Sequence, residues 1–255
     1  MIKIKQDQSF DKIADKFEKN IYGSSKGQLR HELLVHHLKA SLDIEGQSLD
    51  ILDAGGGTGV MSEMMLNLGH KVMLTDLSAD VLTLAEKKLG KRERLIIQQT
   101  DILSLDTDTK YDLVICHAVL EWLENPIKVI NKLVNLVKPN GYLSLSFFNY
   151  DAQLFGNMLY GNFNYVEQGM PIKNIVRLSP NNPQKPQTII AELEKLPLSI
   201  IKKAGIRCFH DYLKEPEKQQ AHYAQLKALE IKYCSVEPYL WLGKYFLIIS
   251  QKNGQ

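Results

Sequence analysis

The sequence predicts an α/β fold, a doubly wound sheet wrapped by helices, and three observations carry that prediction. Short apolar runs bounded by turn residues alternate with stretches of helical period from residue 49 to residue 148. One run, Leu49-Asp-Ile-Leu-Asp-Ala54, feeds straight into Gly55-Gly-Gly-Thr-Gly59 and then into a helix. Acidic residues, Asp53, Asp76 and Asp101, stand where successive runs end, the edge at which such sheets hold ligands.

Glycine at four of the five loop positions 55–59 lets the backbone turn through φ > 0 and approach a ligand without Cβ clashes. The next helix, expected over Val60 to Leu68, aims its N-terminal amides at that ligand. Dinucleotides and S-adenosylmethionine are the two ligand classes that use such a loop. The dinucleotide fingerprint needs G-x-G-x-x-G; Gly55 and Gly57 match it, but Val60 stands at the third position. The spacing is D-x-G-x-G-x-G, with Asp53, Gly55, Gly57 and Gly59, and Gly56 lies inside it. It resembles the first motif of class I S-adenosylmethionine-dependent methyltransferases. A glycine-rich turn kept for packing alone is the lesser alternative.

A chain of 255 residues suffices for one such domain with additions and a full core. Its 44% hydrophobic and 24% charged residues place it among soluble globular proteins. No apolar run approaches the ~18 residues of a membrane span, and Met1-Ile-Lys-Ile-Lys-Gln-Asp7 has no apolar signal core. Cys116, Cys208 and Cys234 are odd in number and far apart, which suits reduced thiols in a cytoplasmic protein. No metal is expected. The net charge of +2 neither requires nor excludes nucleic acid.

Phe10, Ile13, Ala14, Phe17 and Ile21 share one helical face. After a polar break, a second helix is expected over Gln28–Ser41 with Leu29, Leu33, Leu34 and Leu38 inward. Residues 1–45 thus form an N-terminal helical cap. Two readings stay open for it: a cover on the sheet edge, or a lid whose Arg30 pairs with the cofactor's carboxylate. Lys71–Asp76 is the second strand. Asp76, about twenty residues past the loop, suits a carboxylate gripping ribose hydroxyls; capping the next helix is the weaker reading, since Ser78 can do that alone. Leu95–Gln98 is the third strand, and Gln99, Thr100 and Asp101 at its end are placed to read an adenine edge. Tyr111–Cys116 is the fourth, an apolar run of the kind buried on both faces. His117-Ala-Val-Leu-Glu-Trp122 follows just beyond it, where His117 either touches the cofactor or bonds a nearby carbonyl. Asn125 and Pro126 start a helix as N-cap and N1; Lys138-Pro-Asn-Gly141 ends it ahead of a fifth strand, Tyr142–Phe148.

Residues 150–186 show no clear period and hold several glycines and prolines, yet seven of the 21 aromatics lie between Phe147 and Tyr165. An irregular insertion of this length is functional or disordered, and the rings argue against disorder. A satellite core is the favoured reading of them; a lid stacking on a nucleobase is the other. Beyond it, Gln187–Lys195 is expected as helix, Ile200–Leu213 as holding the sixth strand with Arg207–Tyr212 included, Pro216–Cys234 as helix, and Leu240–Ile249 as the last strand. The sum is a Rossmann-like, doubly wound seven-stranded sheet with one antiparallel strand, an N-terminal cap and an insertion after strand 5, in one domain over 1–255. Residues 171–218 carry nine Lys/Arg against five Asp/Glu, a local +4 that suits a polyanionic substrate.

Several blocks together resemble one family closely. They are Phe10-Asp-Lys-Ile-Ala-Asp-Lys-Phe17, Asn20-Ile-Tyr-Gly-Ser-Ser-Lys-Gly-Gln-Leu-Arg30, Leu52-Asp-Ala-Gly-Gly-Gly57 and His117–Trp122. So do Gly161-Asn-Phe-Asn-Tyr-Val-Glu-Gln-Gly-Met-Pro171, Leu178-Ser-Pro180 and Phe209-His-Asp-Tyr-Leu213. The family is the bacterial tRNA 5-carboxymethoxyuridine methyltransferases. The resemblance implies methyl transfer from S-adenosylmethionine to the carboxylate of the modified wobble uridine, on the anticodon stem-loop of tRNA. It implies cofactor contacts at Arg30, Gly55, Gly56, Asp76 and His117; Gln99 and Thr100 align with the adenine contact across a shortened stretch. The chain departs from the family around Met170–Arg177, where a denser lysine run is expected, and that bears on RNA affinity.

The chemistry needs no general base, because a carboxylate of pKa near ~4 is already ionised at neutral pH. Positioning is the work, and an over-strong cation would quench the nucleophile. Tyr22, Lys26, Arg177, Arg207 and His210 are the candidates for holding the substrate. Rival readings are a methyltransferase of a small carboxylic acid, a non-catalytic S-adenosylmethionine- or RNA-binding module, and, third, a nicotinamide oxidoreductase. Activity on a free acid, or tight tRNA binding without turnover, would select the first or the second.

Overall fold

Strands that read as continuous apolar runs pack between layers of helices, and the order in which they pair sets where a ligand can sit. The structure is a computed structural model describing residues 7–11, 24–171 and 180–254. In chain order, helix α1 (Ser25–Ser41) precedes β1 (Asp50–Ala54), α2 (Val60–Asn67), β2 (Lys71–Asp76), α3 (Ala79–Leu89) and β3 (Leu95–Gln99). Then come β4 (Tyr111–His117), α4 (Pro126–Leu136), β5 (Val137–Phe148), α5 (Tyr150–Leu159), α6 (Phe163–Glu167) and α7 (Pro186–Leu193). The chain ends its sheet with β6 (Leu198–Ile206), α8 (Lys218–Ala221), α9 (Tyr223–Tyr233) and β7 (Tyr245–Lys252).

The strands form one sheet in the order β3-β2-β1-β4-β5-β7-β6, parallel except for β7, which runs antiparallel to β5 and β6. This is the expected seven-stranded doubly wound sheet. Its order reverses between β1 and β4, and that switch point opens a crevice at the strands' C-terminal ends. Alternate strand residues feed opposite layers. Leu52, Val114 and Cys116 join one core with Ile130, Leu133 and Phe246; Ile51, Leu113 and Ile115 join the other with Leu29, Leu38 and Met65.

Helix α1 starts at Ser25, earlier than expected, because the Ser24 hydroxyl accepts from the Gly27 amide. Leu29, Leu33, Leu34 and Leu38 are all buried as expected, and the helix packs on β6, β7 and α9. The helix expected around Phe10–Ile21 lies outside the described residues, except for Phe10 and Asp11.

Several boundaries differ from the sequence reading. β4 includes His117, which is therefore a strand-end residue and not one beyond the strand. β5 begins at Val137; Asn140 adopts φ 61°, a left-handed turn that Asn tolerates, and pairing with β4 then resumes. Over its described residues up to 171, the insertion holds two helices, α5 and α6. Asn149, anchored by two bonds to the Trp241 and Gly243 carbonyls, caps α5 by accepting from the Asp151 amide. Only the small residues Ala152 and Gly156 of α5 are buried, so no apolar stripe marks the helix. Tyr160 and Phe163 stand 76% and 61% exposed and so belong to no satellite core, whereas Phe147 and Phe148 are buried and Phe155 packs edge-on against Tyr212. β6 stops at Ile206, because Arg207 takes φ 64° and turns the chain; residues 210–212 form a short 3₁₀ turn. The stretch Pro216–Cys234 breaks at His222 into α8 and α9. Tyr239–Leu242 is a 3₁₀ turn, so the last strand starts five residues later than expected, at Tyr245.

Candidate functional site

The cleft is built at the C-terminal ends of β1, β2 and β4. Gly55 lies at φ 69°, and a Cβ there would stand 2.6 Å from Val119 Cγ2. A Cβ on Gly56 would meet the Asp53 carboxylate at 2.6 Å and Leu74 Cδ1 at 2.5 Å. The loop is thus drawn tight against its supports, leaving its backbone as one wall of the cleft. Asp53 is buried below it and accepts from the Ser62 hydroxyl at 2.7 Å; burial pushes its pKa up to about 6.

Asp76 closes β2 and braces the loop. Its carboxylate accepts from the Gly57 amide at 3.1 Å and the Ser78 amide at 2.9 Å, and burial raises its pKa. The helix cap itself is the Ser78 side chain, as the sequence suggests, accepting from Val81. Thr100 and Asp101 also line the cleft; Asp101 caps the short turn at Ile102–Ser104. Gln99 does not line it: its amide turns away to the Leu77 carbonyl.

On the β4 side, His117 Nε2 lies 2.8 Å from Ser144 Oγ, a hydroxyl rather than the carbonyl considered above. Burial holds its pKa down at about 3, so the ring is neutral. His117 Nδ1 and the nearby Ser146 hydroxyl are buried without a hydrogen-bond partner among the described residues, and both residues line the cleft. Arg30 reaches the same wall from α1, its guanidinium 5.1 Å from the centre of the Tyr245 ring. The helix therefore covers the β6 edge of the sheet and also sets Arg30 in the cleft wall.

A strap of residues 7–11 crosses the cleft. Gln8 N–H donates to the Trp122 carbonyl, Asp7 accepts from the Glu124 amide, and Phe10 packs edge-on against Trp122 at 5.0 Å. At the far end Asp11 accepts from the Ser78 hydroxyl at 2.6 Å. Leu77, Val81 and Ile102 supply an apolar shelf within the same cleft.

Beyond Tyr245 lies a second group of charges. Arg207 is buried, pairs through Nε with Asp211 at 2.8 Å and donates through Nη1 to the Lys26 carbonyl. Its guanidinium also lies 5.5 Å from the Tyr245 ring centre. Burial draws the Asp211 pKa upward, but the Arg207 charge and the His210 hydrogen bond outweigh it and hold the carboxyl below its usual range. His210 is buried, with Nδ1 3.3 Å from Asp211, and does not line the cleft. Lys26 joins the group through its backbone while its side chain stays exposed. Tyr22 and Arg177 lie outside the described residues.

Sequence reasoning passed over four residues here. Tyr245 and Ser146 line the cleft, Lys244 sets its ammonium 5.0 Å from the Phe148 ring centre, and Glu121 is wholly buried. Neither Glu121 oxygen makes a hydrogen bond of normal geometry among the described residues. Burial pushes its pKa up to about 7, against the Glu121 and Phe148 amides and the Arg30 charge. Glu121 lay in plain view inside the quoted His117–Trp122 block, and a carboxylate amid apolar neighbours was the available signal. The three cysteines are free and buried, and no cluster able to hold a metal occurs among the described residues. No described helix is long and apolar enough to cross a membrane.

The family described as a methyltransferase domain matches residues 52–143, the half of the sheet that carries this cleft. The tRNA 5-carboxymethoxyuridine methyltransferase of Escherichia coli (strain K12) is 41% identical over 253 residues, covering 97% of each chain. This chain belongs to that family. Malonyl-[acyl-carrier protein] O-methyltransferase 2 of Ilyobacter polytropus is 28% identical over 143 residues, 54% of this chain and 55% of its own. Magnesium protoporphyrin IX methyltransferase from Synechocystis PCC 6803, solved with bound S-adenosylhomocysteine (SAH), aligns over 96% of both chains with a TM-score of 0.66 at 17% identity. That likeness shows the shared fold.

As a member of the tRNA 5-carboxymethoxyuridine methyltransferases, the chain is an S-adenosylmethionine-dependent enzyme. The cleft fits that cofactor. Its glycine wall has no room for a Cβ, its apolar shelf suits a planar base, and His117 Nδ1 and Ser146 Oγ are buried polar atoms left to a ligand.

Proposed function

We propose that this chain transfers a methyl group from S-adenosylmethionine to the carboxylate of 5-carboxymethoxyuridine at the tRNA wobble position, forming the methyl ester. One observation carries the substrate assignment. The match to the Escherichia coli enzyme covers 97% of this chain, so it takes in the insertion and β6–β7 as well as the methyltransferase core at 52–143.

When bound, the cofactor supplies an electrophilic methyl group on a sulfonium sulfur. Arg30 takes its carboxylate end, Asp76 its ribose hydroxyls, and Thr100 with Asp101 its adenine edge above Leu77 and Ile102. Asp53 and Gly55–Gly57 hold the wall between these ends. His117, neutral at physiological pH, adds no repulsion toward a sulfonium. The strap of residues 7–11 and Trp122 exclude water. The acceptor carboxylate is ionised without help, so what the protein contributes is orientation.

The tRNA partner docks through its anticodon stem-loop, with the exposed rings of Tyr160 and Phe163 offered to bases. Tyr22, Lys26 and Arg177 are the candidate substrate contacts in this reading, which puts the enzyme in the cytoplasm with its tRNA. The test is nucleoside mass spectrometry of tRNA from a deletion strain. Accumulated free acid at the wobble uridine, reversed by the gene, is expected; an unchanged ester level would refute the assignment.

A further inference from the structure

Three cations gather around the Tyr245 and Phe148 rings. Arg30 and Arg207 both lie over the Tyr245 ring, Lys244 lies over Phe148, and Phe148 packs edge-on against Tyr245 at 5.5 Å. Arg207 is committed, with Asp211 on its guanidinium and the Lys26 carbonyl on Nη1. Lys244 makes no ion pair among the described residues, although Asp211 lies near enough to be felt. Desolvation, with Arg207 and Lys26 adding to it, lowers the Lys244 pKa against the pull of Asp211. An ammonium held on an aromatic face with part of its water removed gains from an incoming anion.

We propose that the Lys244 ammonium, set on Phe148 beside Tyr245, binds the carboxylate of the substrate base and so selects the acid over its methyl ester. The proposal deepens the tRNA assignment above and rests on it. Chemistry favours lysine for this task. A guanidinium fork engages both carboxylate oxygens at once, whereas an ammonium acts as a point charge. One oxygen can then be held while the other stays free to accept the methyl group. After transfer the acceptor has lost its negative charge, and Lys244 has nothing to hold, which favours release of the ester.

The experiment compares three anticodon stem-loops, bearing 5-carboxymethoxyuridine, its methyl ester or 5-hydroxyuridine, titrated against the chain loaded with SAH. The wild-type chain is expected to bind the acid about tenfold or more tighter than the ester, as a charge-assisted hydrogen bond allows. In Lys244→Gln that ratio collapses to near one, with ester binding, SAH affinity and melting temperature unchanged. Lys244→Arg keeps the preference for the acid but loses turnover. An acid-to-ester ratio near one in the wild-type chain, or a wild-type ratio retained in Lys244→Gln, would overturn the proposal. Should the wild-type chain bind and methylate none of the stem-loops, the tRNA assignment itself falls, and this inference with it.

Discussion

Replacing Gly55 with alanine loads two separable penalties onto the cleft. The backbone there sits at φ 69°, where an L-residue costs about 1–2 kcal/mol. The new methyl also stands 2.6 Å from Val119 Cγ2 and 3.3 Å from Cγ1. Valine has no flexible end to withdraw, so overpacking adds about 1–3 kcal/mol, for a total of about 2–5 kcal/mol. Only the steric part depends on Val119. Gly55→Ala/Val119→Ala should therefore recover about 1–3 kcal/mol beyond additivity, leaving the backbone part in place. Urea unfolding of the four proteins in the cycle measures this, and calorimetry with SAH should show affinity lost in Gly55→Ala and partly regained in the double variant. Coupling below about 0.5 kcal/mol would refute the geometry on which the cradle argument stands.

Glu121 takes up its proton at about pH 7 in the fold against 4.5 when unfolded, so burying it costs stability progressively as pH rises between those values; Glu121→Gln should melt higher than wild type at pH 8 and lose that advantage below about pH 5, as thermal unfolding across pH would register. Removing Arg207 strands the Asp211 carboxylate inside the fold, so Arg207→Ala should destabilise by about 3–5 kcal/mol as well as lowering tRNA methylation; equal stability in denaturant would show that the pair is not structural. Tyr160→Ala and Phe163→Ala touch exposed rings, so they should weaken stem-loop binding by about 1–3 kcal/mol per lost stack while SAH affinity and melting temperature stay put.

Much of the sheet was legible because buried parallel strands are short apolar runs punctuated by turn residues. β2 was read to the residue, and the glycine loop with Asp53 and Asp76 announced the cleft. What escaped notice had weak local signals. α5 turns small residues inward, so its apolar side chains carry no helical stripe and read as irregular. The apolar stretch from Leu240 to Ile249 runs unbroken through a 3₁₀ turn into β7, and apolarity alone cannot locate the change of conformation. Lys244 and Tyr245 sat unremarked inside that stretch, although Tyr245 opens the last strand and lines the cleft. Gln99 shows the opposite error: its place at a strand end suggested a ligand contact, but the exposed edge strand β3 turns its amide toward Leu77.

The position of β7 has a consequence for biosynthesis. This strand is the last of the sheet to be translated, yet it sits between β5 and β6 and supplies every backbone bond that joins them. Until it emerges from the ribosome, β5 presents an open edge and β6 has no neighbour in the sheet, a condition that invites wrong pairing. Tyr245 opens the same strand, so the wall of the cleft and the closed sheet are completed together. A nascent chain interrupted ahead of it would carry an almost complete glycine-loop half with nothing to seal its flank.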